Sequence, residues 1–179
     1  DAPVRKGAEN LGGIDILVNN ARAISLPATP STSMKKYDLM HQLNGRGSFM
    51  ATQKCLPWLL QAQNPHVLNL SPPLNLNARW FANHAAYTAA KYLMSFWVLG
   101  MAEEYRGKVG FNALWPKTAI DTAAVRNHLG GAPSVAAARK PDIMADAAHA
   151  ILVRDNKACS GNFFIDEEVL RSEGVADFR

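Results

Sequence analysis

Four short apolar runs, each closed by turn-forming residues and set apart by stretches with helical spacing, constrain this chain more than any other feature. They are IDILV at 14–18, HVLNL at 66–70, VGFNALW at 109–115 and NFFID at 162–166. Runs of this length, punctuated by asparagine, proline or aspartate, read as buried strands. Helical spacing is found before Gly12-Gly13, again from Ser33, a candidate N-cap, through Tyr37, Met40 and Leu43, and on through Phe49, Cys55, Leu56 and Leu59. A kink is expected at Pro57. Further helices are expected over 85–105 and after Pro141. The stretch SPPLNLNARWFAN reads as a loop, because adjacent prolines supply no amide donors. Strand and helix therefore alternate, with connections long enough to cross over, which predicts an α/β fold with a parallel sheet covered by helices on both faces.

The 179 residues, 48% of them hydrophobic, suffice for one substantial core. No repeat, linker or low-complexity tract divides them, so residues 1–179 read as a single domain. The formal charge is +4, but the basic residues are scattered, which argues against a nucleic-acid or membrane partner. Cys55 and Cys159 are too few and too far apart for a disulfide framework. A reducing compartment is expected, the cytoplasm first, with the peroxisomal or mitochondrial matrix as alternatives. No His-Glu-x-x-His spacing suggests a metal site, and the Gly-x-Ser-x-Gly turn of serine hydrolases is absent.

One stretch carries chemistry. In HAAYTAAKYLM, at 84–94, Lys91 follows Tyr87 by four residues on an almost wholly apolar helix. Side chains four apart lie one turn apart on one face, so their tips can meet on a single bound molecule. A phenol loses its proton near pH 10, and an adjacent ammonium in a dry pocket lowers that by roughly 1 to 3 units. Tyr87 then becomes a usable general acid or base. The same spacing also suits a half-buried tyrosine beside a solvated lysine.

The motif stands in a longer series: YTAAK follows DILVNNA, LNGRG and VLNLS and precedes NALWPKTAIDT, in that order. In this series the chain resembles the short-chain dehydrogenase/reductase family. The resemblance implies a Rossmann-like doubly wound parallel sheet and an oxidoreductase that moves hydride between NADP or NAD and a carbonyl/alcohol pair. Tyr87 would be the general acid/base, and Lys91 would hold the nicotinamide ribose and tune Tyr87. Asn44 would hold a water of the proton relay. Ser71 would polarise the substrate carbonyl, although Pro72 follows it and offsets it from the family's usual serine. Asn19 and Ala21 would lie beside the adenosine half of the cofactor, and Pro116 and Ile120 in the loop that packs on the nicotinamide.

Arg22 and Lys117 stand where the family usually has glycine, and bring positive charge toward a phosphate-rich cofactor. Trp80, Phe81 and Trp115 suggest a small apolar carbonyl compound as substrate. The family's glycine-rich turn is not found in the sequence. The chain thus reads as the C-terminal two-thirds of such a domain, with its N-terminal strands missing and Asp1 a cut. Weak or no cofactor binding by this chain alone is expected, with 14–18 left as an unpaired edge strand. On the helix over 85–105, Leu93, Phe96, Trp97, Gly100 and Met101 form a stripe widened by Met94 and Val98, and the resemblance implies a homo-oligomer through that face. The alternative reading is a catalytically inactive family member that serves as an interaction or dimerisation subunit.

Overall fold

The computed structural model describes residues 2–128 and 138–178. Its elements in order are α1 (Ala2–Leu11), β1 (Ile16–Asn19), α2 (Met34–Met40), α3 (Ser48–Leu59), β2 (His66–Asn69), α4 (Ala85–Glu104), β3 (Gly110–Trp115), α5 (Ala123–His128), α6 (Asp142–Leu152), β4 (Phe163–Ile165) and α7 (Asp166–Ser172). The four strands form one sheet in the order β1-β2-β3-β4, every pair parallel. The alternation of strand and crossover helix therefore yields the α/β, Rossmann-like sheet that the sequence implies.

Because successive strand residues point to opposite faces, neighbouring residues of β2 feed two separate cores. Val67, with Val109 and Phe111, packs against Cys55 and Leu59 of α3 and Met101 of α4. Leu68, with Leu114, packs on the other face against Ala147 and Ile151 of α6 and Val169 and Leu170 of α7. Both faces are thus covered. Each strand of the sheet lies where an apolar run was read, but the ends shift. The first run enters the sheet two residues late, at Ile16, because Ile14 packs with the first core while only the carbonyl of Asp15 joins the ladder, accepting from the His66 amide at 3.0 Å.

The long helical stretch that begins at Ser33 is interrupted at a place the spacing did not mark. Pro57 is accommodated within α3, two residues before its end, whereas residues His41–Gly47 form a π-helical turn. Asn44 sits in that widened turn, fully buried. Gly45 beside it lies so close to α4 that a Cβ would stand 2.7 Å from Cδ1 of Leu93, and the Trp97 indole donates to the Gly45 carbonyl at 3.1 Å.

The apolar stripe read on α4 is divided. Met94, Val98 and Met101 are buried, Leu93 and Trp97 half-buried, and Phe96 and Gly100 exposed; Leu99, outside the stripe, is exposed as well. β1 has no strand on its outer side among the described residues, and Ile16 and Val18 remain 45% and 44% exposed. Cys55 and Cys159 are free and buried. Among the described residues no helix is long and apolar enough to cross a membrane, and no group of three or more His, Cys, Asp or Glu could hold a metal ion.

Candidate active site

At the C-terminal ends of β2 and β3, where open parallel sheets of this kind bind ligands, lies a cavity of about 450 Å³. Tyr87 and Lys91 both line it, on the first two turns of α4. The chain enters that helix through Asn83, which takes the left-handed conformation at φ 68° that asparagine tolerates, and His84 then lines the cavity beside Tyr87. Pro72, Pro73, Asn75 and Trp80 come from the loop after β2, Trp115, Pro116 and Lys117 from the end of β3, and Ile165 and Glu168 from the β4–α7 junction.

Among the described residues Lys91 is the largest fully buried side chain, only 1% exposed. Its Nζ donates to the Leu70 carbonyl at 2.5 Å and to Sδ of Met94 at 3.2 Å, and stands 5.4 Å from the centre of the Trp115 ring. An ammonium has three N–H donors, so one remains for a molecule in the cavity. Burial pushes this ammonium down to about 7, and the positive charge of Arg22 pushes the same way. For Tyr87, burial raises the phenol above its ordinary value and Arg22 acts against it. This differs from the simple expectation of a lysine-lowered phenol: loss of hydration in the dry pocket dominates.

The remaining residues read from the sequence are placed as follows. Asn44 spends its amide on one backbone unit, its Oδ1 accepting from the Ala23 amide at 2.8 Å and its Nδ2 donating to the Ala23 carbonyl at 3.0 Å. Ser71 is fully buried, and its Oγ has no hydrogen-bond partner. Asn19 points its Nδ2 at Oδ1 of Asn69, 2.8 Å away, and Oγ1 of Thr52, 3.2 Å away, so this amide ties β1 to β2 and α3. Ala21 is exposed on the loop after β1. Pro116 lines the cavity. Ile120 is 8% exposed and forms a parallel bridge with Arg139. Lys117 does not leave its charge free for a cofactor, because its Nζ donates to Oε1 of Glu167 at 2.8 Å. Of the three aromatic residues, Trp80 and Trp115 line the cavity, while Phe81 packs against the Tyr92 ring with centroids 4.9 Å apart.

A second row on α4 escaped the sequence reading. Thr88, Tyr92 and Ser95 hold the loop that walls the cavity: Oγ1 of Thr88 donates to the Trp80 carbonyl at 3.1 Å, the Tyr92 hydroxyl to the Asn75 carbonyl at 2.7 Å, and Oγ of Ser95 to the Pro72 carbonyl at 2.6 Å. Hydroxyls spaced i, i+4 and i+7 on an otherwise apolar helix carry this signal in the sequence itself.

The residues present fit the nicotinamide-ribose half of a dinucleotide. A buried ammonium with a donor to spare and a cavity-lining phenol suit the polar groups such a ligand carries, within walls that are otherwise mostly apolar, while the unpartnered Ser71 hydroxyl lies next to the lining residue Pro72 and does not itself line the cavity. No strand among the described residues runs through a glycine-rich turn into a helix, the arrangement that receives a pyrophosphate.

Comparison with known proteins identifies the family and the fold. The model of the family described as short chain dehydrogenase matches residues 1–129. Hydroxysteroid dehydrogenase-like protein 2 of Xenopus laevis is 58% identical over 176 residues, which cover 98% of this chain and 42% of that protein. A Xanthomonas campestris protein of known structure is 52% identical and superposes with a TM-score of 0.93, covering 98% of this chain and 64% of its own. A short chain dehydrogenase from Mycobacterium thermoresistibile is 43% identical with a TM-score of 0.90, over 98% of this chain and 62% of its own.

Proposed function

This chain belongs to the short-chain dehydrogenase family, and from that premise we propose that the protein containing it is an NAD(P)-dependent oxidoreductase acting on a small apolar carbonyl/alcohol pair. The observation that carries the reading is the fully buried Lys91, one helical turn from Tyr87, both lining a cavity at the C-terminal end of the sheet. The dinucleotide supplies the hydride when bound. The chain's own residues handle the proton and the geometry.

Tyr87, whose phenol burial holds above its ordinary value, keeps its proton at neutral pH and donates it from Oη to the carbonyl oxygen as that oxygen gains charge. In the reverse direction the same oxygen accepts the alcohol proton. Lys91 is charged below about pH 7 in the free protein. In that state its ammonium stabilises the phenolate left after proton donation and offers its spare N–H to a ribose hydroxyl. Trp115 supports the charge through its ring face. Ser71 uses its otherwise unpartnered Oγ to hydrogen-bond the substrate oxygen. Asn44, whose side chain is held by the Ala23 backbone, is the residue assigned to the relay water. Asn19 holds the end of β1, where Ala21 and the adenosine half would meet, and Pro116 and Ile120 pack near the nicotinamide.

Trp80, Trp115, Tyr92, Pro72 and Pro73 give the cavity walls an apolar character that suits a substrate with little charge of its own. The face of α4 that exposes Phe96 and Leu99 is the proposed contact with a second copy. The test is turnover by the full-length protein with NADPH and a panel of apolar ketones. Lys91→Ala is expected to weaken NADPH binding and to lower kcat, each by about tenfold or more, because one ammonium serves both ligand and phenol. A variant altered in neither would return Lys91 to a structural role.

A further inference from the structure

β4 and α7 meet without a connecting loop, so Ile165, Asp166, Glu167 and Glu168 follow one another at the floor of the cavity. Ile165 and Glu168 line it directly. The two acids between them face the segment that leaves β3. Oδ1 of Asp166 accepts from the Lys117 amide at 2.9 Å, the first backbone donor after Pro116. Oε1 of Glu167 accepts from Nζ of Lys117 at 2.8 Å, and its Oε2 from Nη2 of Arg139 at 2.6 Å. Arg139 is itself bonded through its backbone to both sides of Ile120: its amide donates to the Ala119 carbonyl at 2.9 Å and its carbonyl accepts from the Asp121 amide at 2.8 Å. Arg171, one turn on in α7, donates from Nη2 at 2.9 Å to Oε1 of Glu167, the oxygen that also accepts from Lys117.

A single carboxylate, 4% exposed, thus gathers three cations: Lys117 belongs to the cavity wall that follows β3, and Arg139 is bonded to the backbone around Ile120 further along the same segment. These cations hold its carboxyl down to about 2, Lys117 contributing most. Three successive residues of that wall, Trp115, Pro116 and Lys117, line the cavity. Ion pairs whose cations remain partly in solvent, as Lys117 and Arg171 do here, contribute little net stability. What such an array does well is fix one geometry.

We propose that Glu167 is a positioning residue: through Lys117 and Arg139 it sets where the Trp115–Lys117 and Ile120 wall stands relative to Tyr87 and Lys91. This rests on the oxidoreductase reading for the identity of the ligand, though not for the wall itself. The consequence is that weakening the clamp loosens ligand binding at constant global stability.

The experiment uses the full-length protein with Glu167→Gln, Glu167→Asp and Lys117→Met. Lys117 is half exposed, so its replacement removes one arm of the clamp without threatening the core. Three quantities are read: amide hydrogen exchange over 117–121, the Kd of NADPH from tryptophan quenching, and the Kd of the uncharged apolar probe N-phenyl-1-naphthylamine. For Glu167→Gln and Lys117→Met the expected result is exchange over 117–121 faster by about tenfold and both Kd values raised by about fivefold or more, with Tm of Lys117→Met within about 2 °C of the parent. Glu167→Asp should recover part of the affinity. Unchanged exchange at 117–121 in Lys117→Met would overturn the proposal, as would faster exchange with both affinities unchanged. If the parent protein binds no NADPH, the oxidoreductase reading fails on its own, and the clamp is decided by exchange and by the apolar probe.

Discussion

At the residue scale the centre of the site is a lysine in an unusual place. Lys91 has a carbonyl, a thioether and an indole face for company. Such burial costs stability only while the group is charged. In the folded protein it gives up its proton near pH 7, in the unfolded chain near 10.5. Between those values the unfolded state binds more protons, so the stability of the parent rises with pH across the window, and below about pH 7 the full cost is felt. Lys91→Met removes the titration. Its Tm relative to the parent is therefore expected to be higher at pH 6 than at pH 9 by about 5 °C or more, measured on the full-length protein by calorimetry. Equal differences at the two pH values would show that Lys91 is hydrated. The Tyr87/Lys91 spacing was legible in the sequence because helical periodicity is local. The Leu70 carbonyl and Trp115 ring were not, because crossovers bring them from other strands. The row of hydroxyls at Thr88, Tyr92 and Ser95 is legible as helical spacing, but its partners, the Trp80, Asn75 and Pro72 carbonyls, are not, because they come from a loop with no periodicity of its own.

At the scale of elements, short apolar runs marked the strands well, since a parallel sheet covered on both faces needs apolar side chains pointing both ways. Strand ends were less legible. Whether Asp15 pairs through its carbonyl alone depends on what His66 does opposite it. The π-helical turn at His41–Gly47 was illegible for a similar reason: its justification is the contact of Gly45 with Leu93 and Trp97 and the hold of Asn44 on Ala23, all distant in sequence. The start of β3 shows how tight these contacts are. A Cβ at Gly110 would stand 2.8 Å from the Cys159 carbonyl oxygen and 2.8 Å from Nδ1 of His66. The first of these is backbone and cannot swing away. Gly110→Ala is therefore expected to destabilise the protein by about 1–3 kcal/mol in urea unfolding, with the m-value unchanged. A loss under about 0.5 kcal/mol would mean that β3 and the Cys159 segment can separate freely.

For the molecule as a whole, the family is settled by the match over residues 1–129, and this chain spans 42% of the length of the Xenopus laevis relative. Its described residues bring Tyr87 and Lys91 together with the loop anchors at a mostly apolar cavity, but include no glycine-rich turn at a helix N-terminus. Contacts to one end of a flexible dinucleotide must offset an ordering cost of several kcal/mol, on the order of 4 or more. The 179 residues alone are therefore expected to bind NADPH weakly, and saturation at micromolar cofactor would show that these residues suffice. The exposed Ile16 and Val18 of β1 favour self-association of the same preparation through that edge. How the full-length protein moves a proton is tested most directly by Tyr87→Phe, which removes one oxygen and leaves the ring. Turnover of an apolar ketone with NADPH should fall by about a thousandfold or more while the Kd for NADPH stays within about threefold. Turnover within about tenfold of the parent, with NADPH bound as before, would contradict the assignment of Tyr87 as the acid/base and with it the oxidoreductase mechanism drawn from this site.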